Sequence, residues 1–230
     1  MIRALAIKEL RETAWIWLLA AAWFFVTAME AMRISLLPDF LGAMGQFPFR
    51  SAGEIPFVSS SIASSIGLGM ALFGVALGIG QTAGEMRSGT YPLTLHLPIS
   101  RRKLFAVKLG VGLFLVWGIG GIALGSICLW AATPGTHASP FEWSMTLDAW
   151  RVWFAAPIAY LGGIATGLLP ARWFGTRLFP AVTATVTTLT LVITTTNGAI
   201  AAIPFFALAL VAASVFAIVI DHLIATRDFS

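Results

Sequence analysis

Six apolar stretches, each close to the length of a membrane-crossing helix, constrain this chain more than any other feature. They fall at about 14–31, 56–80, 104–132, 150–170, 178–196 and 200–220. A helix needs roughly 20 residues to cross ~30 Å of hydrocarbon. Charged residues make up only 10% of the chain, against about 25% in soluble domains. That is too little charge to cover a water-facing surface. The expected fold is an all-α integral membrane protein of six transmembrane helices, a single transmembrane domain over residues 1–230. A chain of 230 residues leaves no room for a soluble catalytic domain beside the spans.

The basic residues give the expected orientation. Sorted by alternate loops, eleven Lys and Arg fall on one side: Arg3, Lys8, Arg11, Arg87, Arg101, Arg102, Lys103, Lys108, Arg172, Arg177 and Arg227. Three fall on the other: Arg33, Arg50 and Arg151. Cytoplasmic loops carry the excess of cations, so both termini are expected in the cytoplasm. Five or seven spans would scatter this pattern. The formal charge of +4 would suggest nucleic acid for a soluble protein; here its placement points to the membrane surface, and no nucleic-acid partner is expected. The single Cys128 allows no intrachain disulfide.

Residues 1–13 read as an amphipathic interfacial helix. Ile2, Leu5, Ala6 and Leu10 cluster on one side and Lys8, Arg11 and Glu12 oppose them, while Arg3 and Glu9 blur the edges. A signal-peptide reading is disfavoured by the acidic residues and by the lack of a clear A-x-A site. The tryptophans fall mostly near span ends, as an aromatic belt would. Small residues recur at packing intervals: Ala63, Gly67 and Ala71, then Gly74 and Gly78, and later Gly121 and Gly125. They suit close helix approach within the chain or at a subunit interface. Thr183, Thr187, Thr190 and Thr194 form one stripe of span five. Either their hydroxyls bond back to the helix's own carbonyls, or the stripe lines a substrate path or dimer interface.

The longest polar interruption is Gln81 to Lys108, which holds five of the fourteen cations. Thr90 is placed to cap a short helix, with Pro92 tolerated in its first turn. Pro98 disfavours helix at Leu97, and Ser100 is placed to cap the next helix. That helix opens on Arg101, Arg102 and Lys103, against the preference of a helix dipole for anions at that end. The cytoplasmic membrane surface would favour the cations instead. Leu93 and Leu97, at i and i+4, make an apolar knob suited to docking in a groove. The plain alternative is a positive-inside loop and nothing more.

The six-span layout, the N-terminal helix and the loop pattern E-x-R-x-G-T…L-P-I-S-R…K resemble the permease subunits of type-2 ABC exporters. Glu85, Arg87, Gly89, Thr90, Leu97, Pro98, Ile99, Ser100, Arg101 and Lys108 carry the loop pattern, and Ile7 to Glu12 resembles the family's start. The resemblance implies a short cytoplasmic coupling helix between spans two and three, within a loop over residues 81–103. It would dock on a partner ATPase through Glu85, Arg87, Gly89, Thr90, Leu93, Leu97, Pro98, Ser100, Arg101 and Arg102. It also implies two ATPase subunits, a second and identical permease subunit, and residence in the bacterial cytoplasmic membrane. Family members often carry small re-entrant helices between spans five and six; residues 197–204 leave little room for them.

No lysine can complete a phosphate-cradling G-x-x-x-x-G-K-[ST] loop, because Lys8, Lys103 and Lys108 follow Ile7, Arg102 and Val107. The chain is therefore expected to be no enzyme and to hold no cofactor or metal, ATP and magnesium being bound by the partner subunit. His96, His137 and His222 are far apart in sequence, and Glu30 is expected either to pair with Arg33 or to contact the cargo. A mostly uncharged interior suits an amphipathic or hydrophobic cargo such as a lipid, drug or peptide. An ATP-independent secondary transporter or channel is the main rival, and it would show buried charges or broken helices. An intramembrane enzyme or assembly factor would need polar catalytic residues at one depth, and none is visible.

Overall fold

The computed structural model describes residues 2–32, 57, 61–87, 100–136, 140–169, 174–196 and 202–226. Among these the chain is helical: α1 (Ile2–Glu12), α2 (Ala14–Ala31), α3 (Ser61–Arg87), α4 (Arg101–Ala132), a 3-10 turn (Trp143–Thr146), α5 (Leu147–Leu168), α6 (Phe174–Thr196) and α7 (Ala202–Thr226). Five of the helices, α2, α3, α4, α6 and α7, are long and apolar enough to cross a membrane. Among the described residues the fold is all-helical, and the chain is membrane-embedded.

The fourth expected span, 150–170, also forms a helix, α5, but it is not among those five. Burial explains why. Seventeen of its residues are buried, including Tyr160, Gly162, Gly163, Thr166 and Gly167. A helix enclosed by other helices need not present an oily surface to lipid, so it can carry small and polar residues that lower its hydropathy. α5 is the hub of the bundle, packed chiefly on α3 and α6 and also on α7 and α4. α7 is the least buried of the five apolar helices.

Glycines set how closely α3 meets α5. A methyl placed at Gly78 would lie 2.5 Å from the Tyr160 carbonyl oxygen and 2.6 Å from the Ile164 nitrogen. One at Gly163 would lie 2.6 Å from the Val75 carbonyl oxygen. The small-residue stripe of span two is thus spent inside the chain, as expected of close packing in lipid. On α4 the pattern differs: Gly121 faces the Trp153 indole, whereas Gly110, Gly118 and Gly125 have nothing within 4 Å.

The ends of the helices depart from the sequence reading. α3 continues through Arg87, and α4 has begun by Arg101. Of the loop expected over 81–103, residues 81–87 and 101–103 are therefore helical. Hydrogen bonding within a helix is satisfied in lipid and in water alike, so nothing obliges a helix to stop where its apolar run stops.

The N-terminal helix differs too. Its packed side is Leu5 and Glu9, whereas Ile2 and Ile7 are exposed. Leu5, Glu9, Thr13, Ile16, Ala20 and Phe24 form one buried line that runs from α1 through a bend at Thr13 into α2. The Thr13 amide and hydroxyl both donate to the Glu9 carbonyl, at 3.1 and 2.8 Å. Beyond the bend, Trp17 Nε1 donates to the Leu10 carbonyl at 3.0 Å, which ties the two helices together.

Candidate functional site

Where α1, α3, α4 and α5 meet, the bundle encloses an ion pair. Lys108 Nζ lies 2.9 Å from Glu9 Oε1, and both side chains are 1% exposed. Lys108 Nζ also donates to the Gln81 carbonyl of α3 at 3.2 Å. From α5, the Tyr160 hydroxyl donates to Gln81 Oε1 at 2.7 Å and lies 3.2 Å from the Lys108 carbonyl. Gly112, one turn after Lys108, leaves the space into which that hydroxyl reaches; a side chain there would collide with it. Four helices thus contribute to one polar cluster, each by a residue that an apolar neighbour could replace only by stranding the others.

The energetics restrict what such a cluster is for. Desolvating two charges costs several kcal/mol per ion, and their attraction roughly offsets this only when further hydrogen bonds complete the site. A well-packed apolar pair would serve stability as well. The cluster resists something more specific: sliding α1 along α4 would pull opposite charges apart where water cannot replace them. Lys108 thus ties α1, α3 and α4 to one another at this end of the bundle.

The cluster sits near one end of the bundle. Gln81 is six residues before the end of α3, and Lys108 is seven after the start of α4. At ~1.5 Å per residue, both lie about 10 Å along the helix axis from the segment joining the two helices.

Of the residues expected to dock a partner, Gly89, Thr90, Leu93, Leu97 and Pro98 lie outside the described residues. Glu85 and Arg87 are in the last turn of α3. Ser100 occupies the N-cap position of α4 with an extended backbone and no side-chain cap bond; its carbonyl accepts from the Leu104 amide at 3.1 Å. Arg101 and Arg102 are exposed in the first turn. Arg102 meets Asp221 of α7 at 3.3 Å, with both side chains more than half exposed. Exposed pairs of this kind contribute about 0–1 kcal/mol. Replacing Asp221 by Asn is accordingly expected to leave the unfolding midpoint of the purified chain within about 4 °C of the parent, as a thermal melt in detergent would register.

Three of the four stripe threonines of α6 bond to their own helix. Thr183 donates to the Phe179 carbonyl at 2.9 Å, Thr187 to Thr183 at 2.8 Å and Thr194 to Thr190 at 2.8 Å. The stripe borders the face packed on α5, where Ala181, Ala184 and Thr188 are buried, and the outer face of Phe179, Val182 and Val186. Glu30 is buried at the end of α2, and its expected partner Arg33 lies outside the described residues.

Sequence reading missed the Glu9–Lys108 pair, placing Glu9 on a blurred edge and Lys108 among loop cations. One local signal was present: Lys108 is the only charged residue inside the apolar stretch 104–132, and a cation there needs a partner. Among the described residues no group of His, Cys, Asp and Glu comes together that would hold a metal. No family model, curated protein or solved structure matches the chain.

Proposed function

We propose that the chain is the six-span permease subunit of an ATP-driven exporter of the type-2 ABC class, with α5 as its fourth crossing. It works as a pair of identical subunits in a bacterial cytoplasmic membrane with both termini in the cytoplasm. Two copies of a separate ATPase bind ATP and magnesium, and the cargo is amphipathic or hydrophobic. One observation carries the reading: about 10 Å from residues 88–99, buried Lys108 of α4 pairs with Glu9 of α1 and donates to the Gln81 carbonyl of α3. Force applied at a docked coupling helix would reach three helices together rather than one. The threonine edge of α6 is left to a second subunit or to the cargo path.

Leu97→Ala with Arg101→Ala is expected to abolish capture of the ATPase by the tagged permease while membrane insertion is unchanged. Undiminished capture would refute the docking role. A second reading, an ATP-independent transporter or channel, gains from the same buried charges. It expects the pair near the middle of the bundle, whereas Lys108 is the eighth residue of a 32-residue helix. Cargo uptake into vesicles driven by an ion gradient without ATP would establish that alternative.

A further inference from the structure

The chain carries two hollows of opposite character, one between α2 and α3 and one on α1. Between α2 and α3 runs an apolar groove of about 280 Å³, bounded by Trp15, Leu19 and Trp23 on one side and Gly69, Leu72 and Phe73 on the other. Trp15, Leu19, Trp23 and Leu72 are exposed along it. Gly69 keeps it open, since a methyl there would lie 2.9 Å from Trp23 Nε1 and 3.3 Å from the Phe24 ring. Trp15 and Trp23 are eight residues apart, about 12 Å along the helix.

Across the Thr13 bend, α1 presents a polar hollow lined by Ala4, Ile7, Lys8, Arg11 and Glu12. Lys8 meets Glu12 at 3.6 Å. Arg11 is exposed and has no ionic partner among the described residues. Lys8, Glu12, Trp15, Leu19 and Trp23 follow one another at intervals of three or four, and Arg11 lies four residues before Trp15, so the charged residues end where the apolar groove begins.

We propose that the two hollows together bind one anionic phospholipid of the surrounding bilayer, its phosphate against Arg11 and Lys8 and one acyl chain in the groove between α2 and α3. Charge complementarity selects the headgroup, and the continuous line of residues aligns headgroup and chain as they lie in a bilayer. Basic side chains beside the bilayer attract anionic headgroups, and indoles settle where an apolar body meets a polar boundary. The inference needs only the membrane embedding of the chain and stands apart from the exporter reading.

The full chain in nanodiscs, with acyl-brominated phosphatidylglycerol or phosphatidylcholine added to an unbrominated bilayer, gives the test through tryptophan quenching. Phosphatidylglycerol is expected to reach half-maximal quenching at about fivefold lower mole fraction, the effect of one basic side chain near an anionic surface. That excess should vanish in Lys8→Gln with Arg11→Gln, and separately in Trp15→Phe with Trp23→Phe. All four side chains are at least partly exposed, so neither variant opens the core. Equal quenching by the two lipids overturns the proposal. An excess that survives loss of the two cations overturns the headgroup site, and one that survives loss of the two indoles overturns the groove.

Discussion

Replacing Lys108 by Met alone is expected to destabilise the folded chain by about 3–5 kcal/mol, the usual cost of stranding one member of a buried ion pair. The Glu9 carboxylate would remain in a site where it is 1% exposed, and the Gln81 carbonyl would lose the Lys108 ammonium. Replacing Glu9 by Leu in the same chain should restore most of the loss, because an apolar pair of similar volume needs neither charge nor hydrogen bonds. Equilibrium unfolding in mixed detergent gives the three stabilities. If the double variant is as unstable as the single, the two residues do not act as a pair. The double variant also separates stability from mechanism. Under the coupling reading it inserts and melts like the parent yet loses most cargo export, because α1 is no longer registered against α4. Full export by that variant would reduce the ion pair to a folding device. Tyr160→Phe should lie between these extremes, at about 1–3 kcal/mol, since it leaves Gln81 Oε1 buried without its donor.

The apolar runs made most of the helices legible, because crossing a bilayer imposes length and hydropathy on a local stretch of chain. α2 lies over 14–31, where its apolar run placed it. Helix ends were less legible. α3 runs seven residues past the expected 80, and its Gln81 and Thr82 are buried polar residues that a hydropathy reading assigns to a loop. α5 was placed by the same logic, although enclosure by other helices lets it carry small and polar residues that lower its hydropathy. The ion pair was hardest to see. Glu9 and Lys108 are 99 residues apart, and helical periodicity relates only residues a few turns apart. The threonine stripe was visible as a pattern, while the choice each hydroxyl makes between its own carbonyls and a neighbour depends on packing.

A leucine at Gly78 is expected to lower stability by 3 kcal/mol or more, toward or beyond the upper end of the roughly 1–3 kcal/mol usual for overpacking. The reason lies in what it would strike. The atoms within 3 Å of a new methyl are backbone atoms of Tyr160, Gly163 and Ile164, which cannot swing aside as a side chain can. α5 would have to move away from α3, taking Tyr160 from Gln81 and loosening the cluster around Lys108. Gly125→Leu supplies the comparison on α4. Nothing lies within 4 Å of its added carbon, so the stability of the single chain should stay within about 0.5 kcal/mol of the parent. Equal losses at the two sites would contradict the packing described for α3 and α5. The same pair of variants bears on association. If two copies meet through the open glycines of α4, Gly125→Leu lowers the cross-linked dimer fraction while the melting of the single chain holds. An unchanged dimer fraction would place the partner on another face.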